Sequence, residues 1–413
     1  MKVCLILPML SNVDHVIYDQ PLGLLYLGAV LEQKGIKVEI IDLNFFNNWR
    51  EELPKHRADA YGIYCSSTLL KTAIEISIFL KETFPNAIRI VGGPHPTSRP
   101  EDLKQYFNVV VKGEGERAII QIIEDIESNK LKSLYHLPHI EDLDSIPYPA
   151  RHLLSIKKYQ RLIAGEKSTG LITARGCPYN CAFCDKNIWG QKPRFRSSEN
   201  VFGEIKSVIT KFNIKAFNIV DDTFTLKKAR LFDMLKGFKE LGIVWRCLTR
   251  VNHINLNILE KMKESGCEEI VFGIESGSQK VLNALNKGVT VEENARAIDL
   301  AKEVGILSKA SFIVGSPNQD FNTLQETMTF IKNHTPDKIQ LCLFTPYPGS
   351  PVWEDPEKFG INILTRDVSN YQVVGKDMRG NIVIETDKIS KEEIEEIHKK
   401  LLTFFNKLGL APY

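Results

Sequence analysis

The chain has 413 residues, more than one compact core needs, so two domains and an appendage are expected. Lys and Arg total 53 against 51 Asp and Glu, a formal charge of +2 that gives no reason to expect a nucleic-acid partner. The eight cysteines follow no framework spacing and no apolar run reaches the length of a membrane span, which argues for a reducing, cytoplasmic interior without structural disulfides.

The opening MKVCLILPML is apolar but short, lacks a cleavage site and runs into SNVDHV, so it reads as a first buried strand, Met1 to Leu7, rather than a signal peptide. PLGLLYLGAVLEQKGIKVEIID then gives a helical pattern ending at Gly35 and a second strand, Lys37 to Asp42. A strand over Ala60 to Cys65 meets the polar turn Ser66, Ser67, Thr68, and a helix follows to Phe84 and stops at Pro85. The strands Ala87 to Val91 and Val109 to Val111 end in Gly92 and Gly93, and in Gly113, Glu114 and Gly115. Strands alternating with helices predict a doubly wound parallel sheet over residues 1–130. Ligands of such sheets bind beyond the carboxyl ends of the strands, where these polar and glycine-rich turns fall.

Residues 131–168 include HIEDLDSIPYPARHLLSIKKYQ, which has two prolines and no sustained period and reads as a linker. Over 169–350 six strands recur between helical stretches: Leu171 to Ala174, Ala216 to Val220, Ile243 to Leu248, Glu269 to Ile274, Ser308 to Val314 and Lys338 to Phe344. Six βα repeats suggest a partial barrel, whose site would lie at the carboxyl ends of its strands. Residues 351–413 form a helical extension in which ISKEEIEEIHKKLLTFFNKLG would cap the barrel, with His398 as a solvated helix residue.

The run ARGCPYNCAFC, after the first of these six strands, carries Cys177, Cys181 and Cys184 as C-x-x-x-C-x-x-C, with Phe183 just before the third. An iron-sulfur cluster closed by cysteine needs four thiolates, so three leave one iron of a 4Fe-4S cluster open to another ligand. A zinc site would need paired knuckles with a partner downstream, and none follows. Cys4, Cys65, Cys247, Cys267 and Cys342 stand singly in apolar stretches, as small buried hydrophobes do.

This motif resembles the signature of the radical S-adenosylmethionine (SAM) superfamily, which implies that SAM chelates the open iron and is cleaved by one electron to a 5′-deoxyadenosyl radical. FGIESGS resembles the superfamily's SAM-contacting strand, which carries that role to Glu275 and Ser276 and less directly to Arg250. Gly315 and Pro317 in FIVGSP resemble the turn that helps hold the adenine. Other polar groups fall near the rim. Asp221 and Asp222 end the second strand, where a salt bridge to Arg246 or Arg250 is the alternative role, and Tyr347 reads as a substrate-facing residue or a packing aromatic.

In the first quarter of the chain PLGLLYLGAVLEQKG, SSTLL, VGGPHPT and VKGEGE resemble the cobalamin-binding domain that precedes the radical domain in one radical SAM class. The resemblance gives Ser67, Thr68, Gly92, Gly93, Gly113, Glu114 and Gly115 as cobalamin contacts. The D-x-H-x-x-G signature is absent because Asp14 and His15 are adjacent, so cobalamin would bind with no histidine on cobalt, and His95 reads as a turn residue. A flavodoxin-like domain holding another cofactor is the alternative. Together the two halves imply a cobalamin-dependent methyltransferase acting on an unactivated carbon of a small-molecule, lipid or peptide substrate, served by a flavodoxin or ferredoxin as electron donor. Radical cyclisation, ring contraction or carbon-carbon coupling would keep both cofactors, whereas a cobalamin sensor or carrier would be non-catalytic. Methylthio transfer needs extra N-terminal cluster cysteines, and Cys4 and Cys65 are too few. No catalytic side chain stands out.

Overall fold

Runs such as KVCLIL, IRIVG and VVVK are apolar on both faces, as buried parallel strands must be. In the computed structural model, which describes residues 1–10, 19–371 and 381–410, they form a six-stranded sheet. Its strands are Lys2–Leu7, Lys37–Asp42, Ala60–Tyr64, Ile88–Gly92, Val109–Lys112 and Leu134–His136, in the order 2-1-3-4-5-6 and all parallel. Cys4, Ile6, Tyr61, Ile63 and Val91 pack with Ala73, Ile76 and Leu80 of the helix Leu70–Thr83. The order turns back between the first and third strands, which opens a crevice at their carboxyl ends.

The chain divides into two compact units, Met1–Gln160 with Lys186–Phe195, and Arg161–Asp185 with Arg196–Tyr413. Much of the expected linker is therefore part of the first unit. Ala150 N–H donates to the Leu25 carbonyl at 3.0 Å, the Tyr159 hydroxyl donates to Asp42 at 2.9 Å, and Ile140, Leu143 and Ile146 are buried. These anchors follow no helical or strand period, which is why the segment reads as a connection.

The second unit begins with a hairpin, Leu162–Ile163 against Glu166–Leu171. Its two-residue turn, Ala164 and Gly165, has φ of 47° and 83°, the left-handed pair that suits a tight hairpin. The first long strand is thus Glu166–Leu171, not Leu171 to Ala174, and the polar sequence EKST had hidden it. It is followed in sheet order by Ala216–Ile219, Val244–Thr249, Cys267–Glu275, Leu307–Val314 and Lys338–Leu343, all parallel. Burial alternates along Val244–Thr249, Leu307–Val314 and Lys338–Leu343. Phe312, Val314, Ile339 and Leu341 are buried, while Lys309, Ser311, Lys338, Gln340 and Cys342 stay half-buried on the other face. An open sheet with one dry and one wet face is the wall of a partial barrel, as expected from the sequence.

The dry face carries Ser198–Phe212, Lys228–Leu241, Leu256–Glu264, Val291–Val304 and Phe321–Asn333, with Phe238 on Trp245 at 5.5 Å as one contact. The sixth helix is Lys391–Lys407, whose Phe405 lies 6.2 Å from Phe312. This helix packs on the outside of the fifth strand instead of capping the barrel. Its extension also contains an antiparallel pair, Ile361–Ile363 with Ile384–Thr386, so it is not purely helical. His398 is only 8% exposed on the apolar face formed by Ile394, Ile397, Leu401 and Phe405, which corrects its reading as solvated.

Candidate functional site

The cysteine loop leaves the first strand of the second unit through Thr173 and Ala174, and a buried carboxylate fixes that exit. Asp221 accepts the Thr173 N–H at 2.6 Å, the Ala174 N–H at 3.1 Å and the Thr173 hydroxyl, while Arg230 Nη2 donates to the Thr173 carbonyl at 2.8 Å. Burial pushes the Asp221 carboxyl above the ordinary carboxylate range despite these donors. Asp221 is thus an anchor beneath the loop and makes no bridge to Arg246 or Arg250. Arg246 lies well before the strand's end and pairs with Glu269 at 2.5 Å. Burial alone would raise the Glu269 carboxyl, but Arg246 and Lys338 outweigh it and hold it below its usual range. Asp222 is exposed.

Cys181 is buried and Cys177 and Cys184 are half-buried, all as free thiols. Among the described residues no three metal-ligating side chains are gathered as a metal group, these cysteines included. The donor chemistry nevertheless fits an iron-sulfur cluster: three thiols lie on eight residues of one loop, at the carboxyl end of a barrel strand, beside a buried cation. That cation is Arg250, buried, with Nη1 3.6 Å from Cys181 Sγ, its guanidinium 3.7 Å over the Tyr179 ring, and Nη2 donating to the Lys287 carbonyl. The Tyr179 hydroxyl is hydrogen-bonded to His253 Nε2. The stretch 285–287 runs beside the loop, with Leu285 accepting from Ala182 N–H at 2.9 Å and Asn286 Nδ2 donating to the Asn180 carbonyl at 2.7 Å.

Glu275 ends the fourth strand with φ of 63°, a left-handed backbone rare for a glutamate and found mostly where the surroundings enforce it. Its carboxylate accepts from Lys287 Nζ at 2.6 Å, each side chain 7% exposed. A Cβ on Gly273 would lie 2.5 Å from Glu275 Oε1 and 2.7 Å from Lys287 Nζ, so a side chain there would push the tips of the pair aside. Ser276 turns away. Its hydroxyl is 3.2 Å from Thr327 Oγ1 and accepts the Ser278 N–H at 3.1 Å. Gly315 has φ of 84° and donates its N–H to Gln319 at 2.6 Å. Tyr347 packs against Tyr371 with ring centroids 6.1 Å apart, yet its buried hydroxyl has no hydrogen-bond partner among the described residues.

In the first unit the three expected turns lie at one sheet edge. Gly93, φ 120°, brings its backbone so close to the third-strand turn that a Cβ would be 2.7 Å from the Cys65 carbonyl. Ser67 Oγ is 3.0 Å from His95 Nδ1, and His95 Nε2 is 3.2 Å from Asp102. Both ring nitrogens of His95 are thereby engaged, as a turn residue's would be. Asp14 and His15 lie outside the described residues. The Glu114 carboxylate accepts from Ile140 N–H at 2.7 Å and from Arg194 at 2.8 Å, each side chain of the ion pair 3% exposed, so it holds the protein to itself. Ser66 and Thr68 hydroxyls are 3.0 Å apart, and Gly92, Gly113 and Gly115 line the same edge. Backbone-rich loops at the crevice of a 2-1-3-4-5 sheet suit a large flat cofactor such as cobalamin, with His95 unable to ligate cobalt without giving up a bond. Cys65 and Tyr64 are packing residues, and burial pushes the Tyr64 phenol up to about 12.

Sequence reading missed Lys287, Tyr179, His253 and Thr327. Tyr179 lies inside the cysteine motif and could have been weighed, but the others reach the site only through tertiary structure.

Comparison with known proteins matches the same two parts of the chain. The Radical SAM superfamily model matches residues 171–331, and the B12 binding domain model matches residues 16–123. An uncharacterized methyltransferase of Pyrococcus horikoshii is 32% identical, over 86% of this chain and 83% of its own. The anaerobic magnesium-protoporphyrin IX monomethyl ester cyclase of Rubrivivax gelatinosus is 26% identical, over 87% and 70%. The radical SAM methyltransferase TsrM from Kitasatospora setae, solved with cobalamin and a [4Fe-4S] cluster, superposes with a TM-score of 0.77 over all of this chain and 91% of its own; at 16% identity it speaks for the fold.

Proposed function

This chain belongs to the cobalamin-dependent radical SAM enzymes, and on that premise we propose that it methylates an unactivated carbon, with one SAM as methyl donor and a second as radical source. The observation that carries the proposal is the pairing, in one chain, of a cobalamin-type sheet with a barrel bearing the three-cysteine loop, in the same span that a methyltransferase relative shares. When bound, the cluster supplies one electron to SAM and the corrinoid supplies methyl-carrier chemistry.

The protein's own part is to hold and align. Cys177, Cys181 and Cys184 would ligate three irons, and Asp221 fixes the loop that bears them. Glu275 already accepts an ammonium, that of Lys287, and so is chemically matched to the α-ammonium of SAM. Ser276, its hydroxyl spent on Thr327 and Ser278, would act through backbone, and Gly315 would line the adenine side. In the first unit Thr68, Gly92, Gly93, Gly113 and Gly115 would hold cobalamin, while Ser67 and Glu114 hold the loops in shape through His95 and Arg194. The substrate is a small molecule, lipid or peptide, the electron donor a flavodoxin or ferredoxin, and the compartment the cytoplasm. No helix among the described residues is long and apolar enough to cross a membrane.

The products of SAM test the reading. Protein reconstituted anaerobically with iron, sulfide and cobalamin should yield S-adenosylhomocysteine and 5′-deoxyadenosine in equal amounts per methylated product. A cyclase, the reading that the Rubrivivax relative favours, would give 5′-deoxyadenosine without S-adenosylhomocysteine. Failure to bind cobalamin, with SAM consumed and nothing methylated, refutes the proposal.

A further inference from the structure

Arg250 was expected among the SAM contacts, yet its guanidinium is committed elsewhere. One Nη is 3.6 Å from Cys181 Sγ, the other donates to the Lys287 carbonyl, and the plane lies 3.7 Å over Tyr179. Tyr179 stands between Cys177 and Cys181, and its hydroxyl is tied to His253, three residues beyond Arg250. The cation is thus clamped to the cysteine loop by the loop's own aromatic and by the stretch 285–287. It is 5% exposed, and its buried Nε has no partner among the described residues. A cation held this far from water acts through a lower effective dielectric than one at the surface.

We infer that Arg250 is a positioning residue of the cluster loop that raises the cluster's reduction potential by N–H···S donation to Cys181 and by its charge. Reduction adds one negative charge to the cluster and its thiolates, so a fixed cation and an N–H donor at a ligand sulfur favour the reduced form. A lysine keeps the charge but loses the planar fork that reaches Cys181, Lys287 and Tyr179 together. The inference rests on the reading that Cys177, Cys181 and Cys184 hold a [4Fe-4S] cluster, and adds what this chain does to it.

The test is a redox titration of the reconstituted holoenzyme, with the reduced cluster read by electron paramagnetic resonance in the parent, R250Q and R250K, alongside iron content and SAM affinity. R250Q is expected to lower the ratio of reduced to oxidised cluster about tenfold at a fixed potential, a shift of about 59 mV to the negative. R250K should shift in the same direction by less, and it carries the test if R250Q retains no iron. An unchanged midpoint in iron-loaded variants overturns the inference, as does weakened SAM binding without a shift in midpoint, which would return the guanidinium to SAM. A parent protein that takes up no cluster refutes the cluster reading and this assignment with it, whereas a loaded parent with an indifferent Arg250 refutes the assignment alone.

Discussion

Replacing Lys287 by methionine removes the ammonium from Glu275 and keeps most of the apolar stem. The pair is 2.6 Å apart and each side chain is 7% exposed, so the cost is not the 0–1 kcal/mol of a surface bridge. Breaking a buried pair by deleting one partner leaves an uncompensated charge and costs about 3–5 kcal/mol. With a urea dependence of about 3 kcal/mol per molar, that loss moves the midpoint of the second unit down by about 1–1.7 M. Hydrogen exchange of peptides from Cys267–Glu275 along a urea series isolates that unit. The double variant Glu275→Gln with Lys287→Met should recover much of the loss, because both charges leave together. If Lys287→Met alone costs less than about 1 kcal/mol, the pair behaves like a surface bridge and the reasoning fails.

Asp221→Ala should leave the N–H groups of Thr173 and Ala174 without their acceptor, at about 1–3 kcal/mol each, and reconstituted protein should hold less iron by colorimetric assay. Gly93→Ala places a Cβ 2.7 Å from the Cys65 carbonyl at φ 120°, so the first unit should lose more than about 1 kcal/mol in thermal unfolding and cobalamin uptake, followed by visible absorbance, should fall. His95→Asn should leave the visible spectrum of bound cobalamin without the change that losing an axial histidine produces. For pH, burial holds the His398 imidazole below its ordinary value of about 6.5, so the unfolded chain binds its proton first. Its stability contribution is intact above about 6.5 and is lost as pH falls from there toward the depressed folded value. In urea titrations between pH 7 and 5, His398→Leu should therefore lose less stability than the parent; an equal loss would contradict the account.

What the sequence made legible was local. Apolar runs ended by Gly35, Gly92 or Gly113 marked strands and turns, and the C-x-x-x-C-x-x-C spacing is contained in eight residues. Glu275 was found through FGIESGS, but its left-handed backbone and its partner twelve residues on were not. Asp221 looked like a rim acid because it ends an apolar strand; only the fold reveals that it accepts the N–H groups of Thr173 and Ala174, almost fifty residues earlier. Arg250 illustrates the same limit, since a cation near a strand's carboxyl end suits a carboxylate ligand or a thiolate equally well until Tyr179 and Lys287 fix its direction. Polar strand residues 166–169 failed to register because Glu166 and Lys167 are exposed and the buried Ser168 and Thr169 are polar, so no apolar signal appears before Leu171. Residues 140–159 did so because their anchors are single side chains without a period.

As proposed, this chain moves a methyl group from SAM to an unactivated carbon using both cofactor domains. Reconstituted, reduced protein incubated with cobalamin, methyl-deuterated SAM and candidate substrate extracts tests it by mass spectrometry. The expected product carries one fully deuterated methyl group, forms with 5′-deoxyadenosine and is abolished by the triple replacement of Cys177, Cys181 and Cys184 with alanine. A product whose mass changes without deuterium, or deuterium incorporation that survives loss of the three cysteines, would contradict it.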